Sequence, residues 1–185
     1  MKSYFVVLFT VLGIVHANGD YEKCSKNHGI DNEMRERIVE THNGYRSLLA
    51  QGLAFMKDGA DSLEASKMRS LVYDCEAENS AYESAEKCST TSSPTSTYDE
   101  NLYVIEEEDG DVSDPIQEVA WDTRTKVGCA VAKCNSGKAT HVVCHYTPKE
   151  EAEGKLIYEM GEPCSRCSTY GDFTCEEGLC VTKQK

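Results

Sequence analysis

Between Trp121 and Cys167 the chain reads WDTRTKVGCAVAKCNSGKATHVVCHYTPKEEAEGKLIYEMGEPCSRC. This stretch constrains the fold more than any other. Two runs of strand-like residues, 127–133 and 139–147, flank the turn signal Asn135-Ser136-Gly137, a pattern that specifies a β-hairpin. Cysteines 129, 134 and 144 sit at offsets that fix one particular hairpin rather than staple a random loop. Tyr158 and Gly161 then lead into the pair Cys164 and Cys167.

All ten cysteines lie beyond an N-terminal segment with the features of a secretory signal. Lys2 supplies a basic start, Tyr4 to Val15 is mostly apolar, and Val15-His16-Ala17 offers small residues at a cleavage site. The apolar run is too short to span a bilayer. The expectation is a signal over 1–17, with a mature chain that starts near Asn18. An even cysteine count in a secreted chain implies disulfides, up to five here. The residues alone leave the pairing open. For the last four cysteines, C-x2-C followed by C-x4-C would also suit a zinc knuckle, but secretion favours oxidation.

Acidic residues outnumber basic ones 32 to 19, for a formal charge of −13. That excludes nucleic acid or an anionic membrane as the main partner. No N-x-Ser/Thr sequon occurs, so no N-glycosylation is expected.

Residues 31–51 read as an amphipathic helix with Met34, Ile38, Thr41/His42, Tyr45 and Leu48/Leu49 on its inner face, capped by Asp31 and ended by Gly52. Asp61-Ser62-Leu63-Glu64 has capping-box spacing. It predicts a second helix with Met68, Leu71, Val72, Cys75, Tyr82, Ala85 and Cys88 along one face. Ser89 to Thr97 reads as a flexible loop, Tyr98 to Ile105 as a short strand, and Glu106 to Asp114 as an acidic loop. Residues 164–185 have too little apolar content for a core of their own and depend on disulfides.

Several motifs in order carry a family resemblance. His42-Asn43-x-x-Arg46 sits in the first helix, followed by Ala50-x-Gly52. Met68-x-x-Leu71-x-Tyr73-Asp74-Cys75 and Cys88 come next, then Asp99-Glu100-Asn101-Leu102. Gly128-Cys129-Ala130, Val142-Val143-Cys144-His145-Tyr146-x-Pro148 and Ile157-Tyr158-Glu159-x-Gly161-x-Pro163-Cys164 complete the set. Together they resemble the CAP superfamily, also called SCP/TAPS, and within it the activation-associated secreted proteins of nematodes. The resemblance implies an α+β fold, a three-layer α-β-α sandwich with a small disulfide-rich hinge: a CAP domain over 18–155 and a hinge over 156–185. It also implies the pairs Cys24–Cys75, Cys88–Cys134, Cys129–Cys144, Cys164–Cys175 and Cys167–Cys180.

In that family two histidines and two glutamates line a cleft that can hold zinc. Here Ser89-Thr90-Thr91-Ser92 stands where the first histidine is expected, and Pro115-Ile116-Gln117-Glu118 where the second is. The helix that carries the second glutamate is expected to be deleted. Glu100 alone remains, and one carboxylate cannot hold a metal or divide acid and base roles. No catalytic residue and no cofactor is implied.

His42, mid-helix on the inner face, reads as a core histidine. His141 and His145 lie four apart on a strand and share a face, but a metal there lacks a clear third ligand. The acidic loop lacks the spacing of a calcium loop, and Trp121 reads first as a packing residue. The resemblance implies a binding protein rather than an enzyme: a secreted parasite effector that engages a host cell-surface protein. An integrin is the expected partner and impaired platelet adhesion or aggregation the outcome. No Arg-Gly-Asp or Lys-Gly-Asp tripeptide is present, so contact is expected through a folded surface, in the loops 89–97 and 106–114 or the tail. A sterol or fatty-acid carrier is the second reading and a metal-dependent hydrolase the third.

Overall fold

A computed structural model describes residues 24–56, 59–106, 119–151 and 153–182. The expected signal segment, the acidic loop beyond Glu106 and the Pro115–Glu118 segment lie outside the described residues. Among the described residues, no helix is long and apolar enough to cross a membrane.

Helix α1 spans Asn32–Ala50. Asp31 caps it by accepting the Met34 N–H at 2.8 Å, which satisfies a donor the helix itself leaves unpaired. Gly52, at φ +68°, ends it. The Gly52 N–H bonds to Leu49 O and the Leu53 N–H to Leu48 O, the paired bonds of a Schellman motif. Helix α2 spans Cys75–Ala85, and its cap is Asp74, which accepts the Ala77 N–H at 2.8 Å.

Four strands form the main sheet: β1 Val72–Tyr73, β2 Asp99–Glu106, β3 Lys126–Cys134 and β4 Ala139–Thr147. Their order is β1-β3-β4-β2, with β1 parallel to β3 and the other pairs antiparallel. Strands β5 Phe173–Glu176 and β6 Leu179–Thr182 make a second, two-stranded sheet.

Successive strand residues face opposite sides, so the sheet has two distinct surfaces. On one, Ala81 and Ala85 of α2 pack against Ala130, Ala132 and Val143. These small residues allow very close approach. A Cβ at Gly128 would stand 2.2 Å from Glu78 N and 2.5 Å from Asp74 O, so a larger residue there would push α2 off the sheet. On the other surface Val39 of α1 meets Leu71, Val119, Val127, Cys129 and Tyr146. Helix, sheet and helix are therefore the three layers the resemblance implies.

Two expectations are corrected. The second helix does not begin at Asp61. Residues 61–71 are non-helical, with isolated bridges at Asp61, Ala65 and Arg69 and a turn at 66–67; Met68 and Leu71 are buried from that segment, and Val72–Tyr73 pairs with β3 before Asp74 caps the helix. The inner face of α1 is also different. Met34, Tyr45 and Leu48 are exposed, whereas Arg35, Val39, Arg46, Ser47, Leu49 and Ala50 are buried. Two arginines take inward positions because each finds acceptors there: Arg35 the buried Glu78 carboxylate, and Arg46 a ring of backbone carbonyls.

Five disulfides join Cys24–Cys75, Cys88–Cys134, Cys129–Cys144, Cys164–Cys175 and Cys167–Cys180. The first two tie Cys24, ahead of α1, and the end of β3 to the two ends of α2, and the third crosses the central hairpin. The tail does more than rely on its disulfides. Leu179 enters a core cluster with Leu49, Ala50, Ala65, Met68 and Ala120. The Cys180 N–H donates to Met68 O at 2.7 Å, so β6 docks edge-on against the 61–71 segment.

Candidate functional site

The residues that carry the family resemblance form two connected polar centres. The first is built on α1. His42 Nδ1 lies 2.7 Å from Ile38 O, and Nε2 lies 2.9 Å from the Tyr146 hydroxyl. A carbonyl can only accept, so Nδ1 carries the proton and Nε2 accepts from Tyr146. Asn101 Nδ2 donates to the same hydroxyl at 3.2 Å. Burial, foremost, pushes the His42 pKa down, so the ring stays neutral and holds this chain of bonds together. Asn43 grips the backbone of Leu71 from both sides, donating to its carbonyl at 2.9 Å and accepting its N–H at 2.7 Å. Arg46, fully buried, donates to the carbonyls of Arg69, Val119 and Trp121 at 2.6–2.7 Å and reaches those of Asp122 and Arg124. Burial pulls its pKa down to about 9, and it remains a cation at neutral pH. The HNxxR motif is thus a set of three clamps.

The second centre is Asp99-Glu100-Asn101 at the start of β2. Asp99 pairs with Arg124 at 2.5 Å and accepts the Glu150 N–H at 2.9 Å. Glu100, opposite His145 in the β2–β4 register, has both carboxylate oxygens engaged. Oε2 accepts from Ser84 Oγ at 2.5 Å and from His145 Nε2 at 2.9 Å, and Oε1 accepts the Ser93 N–H at 2.7 Å. Burial works against its charge. The bonds from His145, Ser84 and Ser93 outweigh that and hold its carboxyl at about 2, against an ordinary 4.5. The Glu100 carbonyl also accepts from Ser92 Oγ at 3.1 Å. The 89–97 segment is a loop, as its composition predicts, and is tied to β2 at its middle.

A third buried cluster was not evident from sequence. Arg35 and Glu78 form a two-pronged ion pair at 2.7 Å, and Tyr73 donates to Glu78 at 2.7 Å. Arg35 also bonds Asn32 Oδ1 and Lys26 O. The spacing of an arginine on α1 and a glutamate on α2 gives no local signal for this contact.

These residues do not fit a metal. Glu100 already accepts three hydrogen bonds, from Ser84, His145 and Ser93, and Ser89–Ser92 supply no imidazole. Among the described residues no group of three histidine, cysteine or acidic side chains could hold an ion. His141 and His145 do share a face, as their spacing predicts, but His145 turns Nε2 to Glu100, and His141 is opposite Ala132 and Val104. The Nδ1 atoms of both are buried with no hydrogen-bond partner among the described residues. Trp121 is a packing residue, 3% exposed.

Comparison with known proteins agrees with this architecture. Residues 39–118 and 102–146 match the family described as CAP, the cysteine-rich secretory protein family. The chain is 40% identical to Hookworm platelet inhibitor 1 of Ancylostoma caninum over 98% of this chain and 99% of that protein. It is 30% identical to the Ancylostoma secreted protein of the same species over 86% of this chain, but spans only 46% of that longer relative. The crystal structure of Hookworm platelet inhibitor superposes with a TM-score of 0.72 at 35% identity, covering 90% of this chain and all of that one.

Proposed function

The chain belongs to the CAP family of cysteine-rich secretory proteins, and from that premise we propose that it is a secreted parasite effector. It binds a host cell-surface protein and inhibits platelet adhesion or aggregation, with an integrin as the receptor. The observation that carries this reading is the end-to-end similarity to a relative named for platelet inhibition. The polar centres support binding over catalysis. His42 has both ring nitrogens and Glu100 both oxygens in hydrogen bonds within the protein, a structural use that ties α1 and the backbone of Ser93 to the sheet.

The lipid-carrier reading requires an apolar groove between helices. The groove beside α1 is open to solvent and lined by Thr41, Gly44, Tyr45, Ser47, Leu48, Gln51 and Glu177, and lipid binding remains the second reading. The test is platelet adhesion and aggregation with native protein and with reduced, alkylated protein. Inhibition by the native form alone is expected. A native protein without effect on either assay would remove the platelet reading.

A further inference from the structure

The hairpin that follows α1 presents an apolar face whose use rests on the effector reading and sharpens it. Beyond the Schellman turn, Phe55 and Asp61 are antiparallel partners. The Ser62 N–H donates to Ala54 O at 2.7 Å and the Met56 N–H to Ala60 O at 2.8 Å. Side chains alternate across such a ribbon. Ala54 and Ser62 share its inner side: Ala54 packs on the core cluster around Leu49, and Ser62 is buried, its Oγ accepting the Ala54 N–H. Leu53, Phe55, Asp61 and Leu63 share the outer side. There Leu53 is 61% exposed, Phe55 79% and Leu63 62%. Met160, 52% exposed, pairs in register with Ala65 just beyond.

Single exposed leucines are ordinary, but three large apolar side chains on one small face make a patch of the kind that marks interaction sites. Its border is acidic. Asp61, Glu64 and Glu162 are exposed, and the Gly161 N–H donates to Glu64 O, which brings the segment bearing Glu162 alongside. The nearby cations Lys67 and Arg166 are both drawn to Glu159.

We propose that this face is the receptor contact. Phe55, flanked by Leu53 and Leu63, enters an apolar cleft on a folded host protein, and the acidic border meets lysine or arginine at the rim of that cleft. Charge complementarity selects this occupant. A second copy would set acidic border against acidic border in chains that each carry −13. An anionic lipid surface is repelled by the same border.

The experiment compares wild type with a Leu53→Ser/Phe55→Ser/Leu63→Ser variant and with an Asp61→Lys/Glu64→Lys variant. Direct binding to washed platelets is measured at low and raised salt, with thermal melts as the folding control. The triple variant is expected to melt like wild type and lose at least about tenfold in platelet binding, the scale of a removed hot spot. The charge-reversed variant is expected to bind more weakly and with less salt dependence. If wild type binds platelets and the triple variant, equally folded, binds as well, the hairpin is not the contact. If wild type itself does not bind, the platelet reading falls and this contact with it. Wild-type dimerisation, or binding to phosphatidylcholine vesicles, that disappears in the triple variant would assign the face to a second copy or to lipid and overturn the proposed occupant.

Discussion

The Glu100 centre and the ribbon formed by residues 53–56 and 60–63 invert the usual distribution of polarity. Glu100 and His145 are charged or polar, yet they lie inside, with bonds to Ser84 and Ser93. Leu53, Phe55 and Leu63 are apolar, yet they stand in solvent. A buried polar group persists because its partners are complete, and completeness removes it from outside chemistry. An exposed apolar face gains little within the chain, which is why the proposal gives it to a partner. In this family member the residues that resemble a reactive centre are bonded into the fold, and the exposed apolar residues carry the proposed contact.

That contrast can be broken first at its strongest structural points. Glu78→Gln removes the charge that balances Arg35 inside the protein. It is expected to destabilise the fold by about 3–5 kcal/mol in chemical denaturation, the cost of stranding a buried ion. A loss under 1 kcal/mol would mean that water reaches Arg35 and the cluster is not a dry anchor. Replacing Cys88 and Cys134 with serine opens the tie between the end of α2 and the end of β3, at an expected cost of about 2–5 kcal/mol. Intact stability after that change would show that the α2–β3 packing alone suffices.

Glu100 gives a smaller effect with a defined pH signature. Its folded pKa, about 2, lies below the ordinary 4.5. The stability it contributes is therefore complete above about pH 5 and is lost as pH falls toward 2. Glu100→Gln is expected to lower stability at pH 7 by about 2–3 kcal/mol and to flatten the acid limb of the stability profile. An unchanged acid limb would remove the Glu100–His145 bond from the account. The smallest stability effect belongs to the hairpin: Phe55→Ser is expected to shift stability by no more than about 0.5 kcal/mol, because the ring is already in water. A larger loss would show that the ring packs on the protein.

Much of this frame was legible because its signals are local. Strands β3 and β4 follow from alternation around Asn135-Ser136-Gly137, and Asp31 and Gly52 mark the ends of α1 by their cap chemistry. The start of α2 was misread because Asp61-x-x-Glu64 has the spacing of a capping box, although the cap is Asp74. The difference lies in the long-range pairing of Val72–Tyr73 with β3, which no local pattern contains. The inner face of α1 was misjudged because periodicity counts arginine as polar, while Arg35 and Arg46 are buried against acceptors drawn from distant segments. Glu100 was identified as a relic of a cleft, but its partner His145 lies 45 positions away and is found only through strand register. The outward face of the hairpin was hidden for the same reason, since the sequence does not say which side of a ribbon meets the core.

The most direct test sets Glu100→Gln and Phe55→Ser side by side in platelet adhesion, each scored per folded molecule at pH 7 and alongside its melting temperature. The account predicts that Glu100→Gln melts earlier but inhibits as well as wild type, while Phe55→Ser melts normally and loses inhibition. Inhibition lost with Glu100→Gln and kept with Phe55→Ser would contradict it, and would return the activity to the polar centre.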